Sequence, residues 1–114
     1  MTRETANGLC AALPGAIHEN SFGPGHDVWK VGGKVFATIG VKGDGLALKC
    51  ASVDEALHLE DLFGWPKAPY FHRSWVHVPL DADATELAHR IGLSYATIRQ
   101  SLTKKAQAAL PPAP

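Results

Sequence analysis

Apolar and other residues alternate with period two along residues 27–41, around a central Gly32-Gly33 pair. After the glycines, Val35, Ala37, Ile39 and Val41 point one way, and Lys34, Phe36, Thr38 and Gly40 the other, which is the spacing of a strand. Two strands joined by two glycines predict a tight hairpin over 27–39, because both central residues of such a turn need positive φ. Upstream, Leu9, Ala12 and Leu13 form a weak apolar stripe that predicts a helix over 3–12, ended by Pro14-Gly15. A first strand follows over 16–21, and Phe22-Gly23-Pro24-Gly25 is a loop by composition. After a turn at 42–45, the alternation Leu46, Leu48, Cys50 predicts another strand.

Beyond that strand, Ser52-Val53-Asp54-Glu55 has the form of a capping box and starts a helix with Val53, Ala56, Leu57 and Phe63 near one face. Gly64 and Pro66 stop it. A short edge strand is expected over 68–71 and a longer one over 75–80, with Pro79 near its end. Asp83 and Glu86 form a second box-like pair before Leu87 and Ile91. Gly92 then interrupts the pattern. Ser94 can cap a further helix carrying Tyr95, Ile98 and Leu102, which makes residues 83–105 either one kinked helix or a helix-turn-helix with Tyr95, Ala96, Arg99 and Gln100 facing a major groove. The order of elements is that of an α+β domain, an antiparallel sheet with helices packed on one face. It is expected to occupy 1–110, with a disordered Pro-rich tail over 111–114.

The hydrophobic share of 46% and charged share of 19% place the chain among folded globular domains. No apolar run is long enough to span a bilayer, and the polar N-terminus lacks a secretory core. Cys10 and Cys50 have no metal-type spacing and are expected to be reduced thiols in a cytoplasmic protein.

The candidate chemistry is sparse. The histidines His18, His26, His58, His72, His77 and His89 fall in no ligand spacing. Carboxylates cluster at capping positions, no serine has a nucleophile-elbow context, and neither a phosphate loop nor a dinucleotide fingerprint is present. No catalytic residue, metal or cofactor is therefore assigned, and the chain is not expected to be an enzyme.

Eleven basic side chains balance eleven acidic ones, whereas a committed nucleic-acid binder carries a basic excess. The charges are nevertheless segregated along the chain. Lys30, Lys34, Lys42 and Lys49 stand against Asp44 alone in 28–50, and Arg99, Lys104 and Lys105 against no acid in 94–110. Acids gather instead at Asp54, Glu55, Glu60 and Asp61. Among the aromatics, Trp29 and Phe36 are the ones expected to be exposed near basic side chains.

The chain resembles the MmcQ/YjbR family of small bacterial proteins over nearly its whole length. The residues that carry the resemblance are Leu13-Pro14-Gly15-Ala16, Phe22-Gly23, Val28-Trp29-Lys30-Val31-Gly32-Gly33-Lys34-Val35-Phe36-Ala37, Leu46-Ala47-Leu48-Lys49-Cys50, Pro69-Tyr70, Trp75-Val76-His77-Val78 and Ser94-Tyr95. The resemblance implies a double-wing α+β fold, similar to frataxin-like folds, and a DNA-binding role. On this basis the expected function is weak, mainly phosphate-mediated DNA binding. Lys30, Lys34 and Lys49 would be the first contacts, followed by Arg73, Arg99, Lys104 and Lys105. The alternative is a protein-interaction or small-ligand module with an apolar patch around Trp65, Tyr70 and Phe71.

Overall fold

Gly32 and Gly33 both adopt positive φ, +57° and +82°, and the chain reverses there between β2 (Asp27–Val31) and β3 (Lys34–Ile39). This hairpin is the middle of an antiparallel meander in the computed structural model, which describes residues 1–114. β1 (Ile17–Glu19) precedes it, and β4 (Gly45–Lys49) and β5 (Trp75–Pro79) follow, so the five strands lie in the order β1-β2-β3-β4-β5.

Directly opposed residues in antiparallel strands share a face. Ala37, Leu48 and Val76 form one such row and Ile39, Leu46 and Val78 the next, and all six are at most 1% exposed. This face lies under the helices. α1 (Arg3–Ala11) packs on β2, α3 (Ala84–Ser101) on β3 and β4, and α2 (Val53–Phe63) against β5. A short α4 (Lys104–Ala108) closes the chain. The second face carries Thr38, Ala47 and His77 in one row, and Lys49 beside Trp75 in the next. Loops cover it in place of helices: the Phe71 ring lies 4.6 Å from Trp75, and Phe22 lies 6.4 Å from Phe71.

Several local expectations hold. Ser52 accepts from the Glu55 amide at 3.1 Å, and Asp83 from the Glu86 amide at 3.0 Å. Both glutamates then turn away from their boxes to Arg90, Glu86 at 2.8 Å and Glu55 at 3.0 Å, which ties α2 to α3. Gly64 ends α2 in the left-handed conformation, φ +70°.

Other expectations fail for tertiary reasons. Trp29 and Phe36 are not exposed: α1 covers the first, whose indole N–H donates to Asn7 Oδ1 at 2.8 Å, and α3 covers the second, whose ring packs 5.5 Å from Tyr95. The register shifts between Trp29 and Lys30, so that Trp29 opposes Ala37 while Lys30 opposes Val35. Phe36 is the extra residue of this bulge, and strict alternation breaks there. On α2 the buried residues are Ala56 and Leu59, while Leu57 and Phe63 are exposed. The expected strand over 68–71 is reduced to one bridge, Lys67 to Val76, followed by turns.

The helix-turn-helix alternative fails outright. α3 runs unbroken through Gly92, Tyr95 is 2% exposed, and Ser94 is fully buried against the sheet. A glycine inside a helix costs about 1 kcal/mol relative to alanine, which the packing of Leu87, Ile91, Tyr95 and Ile98 readily offsets.

Gly45 marks where β4 and β5 approach too closely for a side chain. A Cβ there would meet the His77 imidazole and stand 2.6 Å from the Val78 carbonyl oxygen, which belongs to the ladder and cannot yield. Gly45→Ala is expected to lose about 2 kcal/mol through overpacking, measurable as a shift of the urea midpoint at unchanged slope.

Candidate nucleic-acid interface

The hairpin tip docks on the junction between α3 and α4. A Cβ at Gly32 would meet the terminal methyls of Leu102, which would have to shift, and the positive φ favours glycine there in any case. One residue past the turn, the Lys34 ammonium reaches 3.5 Å from Ser101 Oγ at the end of α3. Thr103 then caps α4 by accepting from the Ala106 amide at 3.1 Å. This cap sets Lys104 and Lys105 in the first turn of α4, both exposed. Lys34, Lys104 and Lys105 have no carboxylate within 4.0 Å, and the nearby chain from 94 to 110 contains none. Three free cations therefore share one end of the molecule, placed there by a glycine turn and a threonine cap.

The other sequence-derived candidates differ in what they can offer an anion. Lys30 is neutralised by Glu19 at 2.8 Å, and this hydrogen bond holds the Glu19 carboxyl below its ordinary range. Arg99 is half-buried and engaged within the chain, donating to Tyr95 Oη at 2.8 Å and to the Pro111 carbonyl at 2.6 Å. Lys49 is half-buried, its ammonium 2.5 Å from Ser74 Oγ. Arg73 is exposed and has no carboxylate partner. Lys49 and Arg73 lie at the same end of the sheet as Lys34, since Leu48 opposes Ala37 and Lys49 opposes Trp75, but across β4 from the hairpin tip. Lys67 is a further unpaired cation that the candidate set omits. Its ammonium contacts the Phe71 carbonyl at 3.1 Å, and its signal in the sequence is the absence of any acid from 62 to 80.

The polar cluster at the start of β5 brings Ser74, Lys49 and His72 together. The Ser74 amide donates to His72 Nδ1 at 3.1 Å, and Ser74 Oγ lies 2.9 Å from the same nitrogen. The types are those of an activated nucleophile, yet Ser74 is 2% exposed, so its hydroxyl is out of reach of a substrate in this conformation. Burial, with the Asp27 charge beside it, pushes the Cys10 thiol up to about 12. Burial, with Glu55 adding to it, pushes Cys50 up to about 11. Neither is a thiolate near neutral pH. A cavity of about 420 Å³ opens between α3, α4 and the C-terminal residues, lined in part by Tyr95, Arg99, Gln100 and Gln107. No helix is long and apolar enough to cross a membrane.

The chain is thus an α+β domain, a meander sheet with one helical face and a glycine-tipped hairpin. The YjbR family model matches residues 11–97, and the chain belongs to the YjbR family. The crystal structure of the Deinococcus radiodurans protein DR2400, a DUF419 domain, is similar in fold: TM-score 0.85 at 21% identity, over 94% of this chain and 86% of that one. No curated protein matches.

Proposed function

We propose that this YjbR domain binds nucleic acid weakly, chiefly through phosphates, and performs no catalytic step. The observation that carries the proposal is the grouping of Lys34, Lys104 and Lys105 around the hairpin tip with no carboxylate near them. Such a group is a docking zone for a polyanion in a molecule whose overall charge is zero. Arg73 and Lys49 extend it along the same end of the sheet, Lys30 is already neutralised, and Arg99 would contribute only by leaving the Pro111 carbonyl.

Each phosphate contact adds about 0.9 to the magnitude of the log–log salt slope on duplex DNA. Titration of a labelled duplex at several salt concentrations is expected to give a slope near −2.7, about three contacts' worth. The Lys34→Ala, Lys104→Ala, Lys105→Ala triple variant should remove most of it, leaving only what Arg73 and Lys49 contribute. A flat dependence for the unaltered chain would defeat the proposal. It would favour the second reading, a protein-docking module, which rests on the exposure of Leu57, Leu62 and Phe63 at 53%, 61% and 45% on α2.

A further inference from the structure

The loop from 64 to 74, between α2 and β5, contains the least explained residue of the fold. Tyr70 stands at φ +69°, the one non-glycine residue with positive φ. A bulky side chain in that region costs conformational free energy. Burial returns none of it, because Tyr70 is fully exposed, at 104% of its reference area. Strain that presents a ring wholly to solvent points to something outside the chain that the ring meets.

Phe71, next in the chain, joins further rings to the loop. Phe22, 50% exposed, lies 6.4 Å from Phe71 with the two rings tilted by 50°, and Phe71 in turn lies on Trp75 at 4.6 Å. The helix-free face of the sheet is thus capped by a stepped row of aromatic rings. Cations surround that row. The Lys67 ammonium is held at the Phe71 carbonyl, Arg73 is exposed, and Lys49 sits under the loop exit on Ser74. None of the three has a carboxylate partner, and residues 62–80 contain no acid at all.

Exposed aromatic rings interleaved with unneutralised cations complement a flexible polyanion that carries flat π-faces. A duplex hides its base faces in the stack, whereas a single strand offers them. We infer that the 64–74 loop, together with Phe22, is a stacking platform for single-stranded nucleic acid. Tyr70 and Phe22 take bases, and Lys67 and Arg73 take the flanking phosphates. The inference rests on the nucleic-acid proposal above and adds to it the strandedness of the ligand and a second contact surface. Both surfaces lie toward the same end of the sheet, since β5 begins where the hairpin turns.

The test compares a labelled oligothymidylate of about twelve nucleotides, within the span one small domain covers, with a duplex of equal length at the same salt. The unaltered chain is expected to prefer the single strand. Tyr70→Ala should weaken oligothymidylate binding about tenfold and leave duplex binding unchanged, with Tyr70→Phe restoring it. Phe22→Ala should act in the same direction. Tyr70 makes no buried contact, so its variants remain folded, and near-ultraviolet circular dichroism checks this. Equal losses for the two oligonucleotides, or no loss with Tyr70→Ala, overturn the platform while the phosphate proposal stands on its salt slope. Polyglutamate binding as tightly as oligothymidylate also overturns it, by making the surface a general anion site. Absence of binding to either oligonucleotide at low salt defeats both proposals together.

Discussion

Replacing Ser94 with alanine is expected to lower the unfolding free energy by about 3 kcal/mol, about 15 °C in Tm for a domain of this length. Ser94 is fully buried in the middle of α3. Its hydroxyl donates to the Phe36 carbonyl at 2.5 Å and accepts from the Lys49 amide at 2.8 Å. Both groups lie just past the point where the β3–β4 pairing ends, at Ala37 and Leu48. Phe36 is also the bulged residue of β3. Where the β3–β4 pairing stops, ladder groups are left without strand partners, and one serine on the covering helix satisfies two of them. Alanine would strand a buried carbonyl and a buried N–H, each costing about 1–3 kcal/mol. Ser101→Ala is the control. That hydroxyl donates only to the Ile98 carbonyl of its own helix, at 2.6 Å, in an exposed residue, so a loss of about 0.5 kcal/mol or less is expected. Equal losses for the two variants in urea unfolding would contradict the bridging role.

Ser94 also shows where sequence reasoning stops. As a residue type after Gly92 it looks like a helix cap, because serine oxygens satisfy free amides at helix starts. The same hydroxyl serves equally well inside a helix when a neighbouring strand has unpaired groups, and no local signal distinguishes the two. Features that depend only on adjacent residues were legible: the Gly32-Gly33 turn, the Ser52 and Asp83 caps, the glycine end of α2, and the alternation of β4. Features that depend on register were not. Trp29 and Phe36 look exposed until α1 and α3 are laid over their face, and α2 buries Leu59 where Leu57 and Phe63 were expected.

The candidate site divides along the same line. Lys104 and Lys105 are exposed beside an acid-free stretch, as their sequence context implies. Lys30 meets Glu19 only because β1 pairs with β2 in a register that brings Ile17 opposite Lys30. Arg99 is engaged by a carbonyl 12 residues further along the chain. Charge counted along a sequence therefore overstates the cations available to a ligand, and the ion pairs of the fold identify which ones remain.

Acid should weaken the fold through Asp27, and Asp27→Asn should remove most of that sensitivity. Partial burial by itself would push this carboxyl up. Hydrogen bonds from Asn7, His18 and Arg3, with the Arg3 charge, outweigh burial and bring the pKa from 3.8 down to about 2. Arg3 Nε and Asn7 Nδ2 donate to Oδ2 at 2.8 and 2.9 Å, and His18 Nε2 lies 2.6 Å from Oδ1. Asn7 also holds the Trp29 indole, and the Arg3 guanidinium continues to the Gly25 and Gly40 carbonyls at 2.7 and 2.9 Å. One carboxylate thus fastens α1 to β1, β2 and the end of β3. Its pKa is lower folded than unfolded, so the unfolded chain binds the proton first. The stabilisation is complete above the unfolded value near 4 and is lost as pH falls through about 2. At about 1.4 kcal/mol per pH unit, and allowing for solvent screening, the contribution is about 2 kcal/mol at neutral pH. In urea titrations at pH 7, 5 and 3, Asp27→Asn should start about 2 kcal/mol below the unaltered chain and the difference should narrow as the pH drops. A residual slope in the variant is expected from Glu19, whose carboxyl is also held low by Lys30. If the two chains lose stability in parallel, the Asp27 cluster does not fasten α1 to the sheet, and the acid sensitivity arises elsewhere.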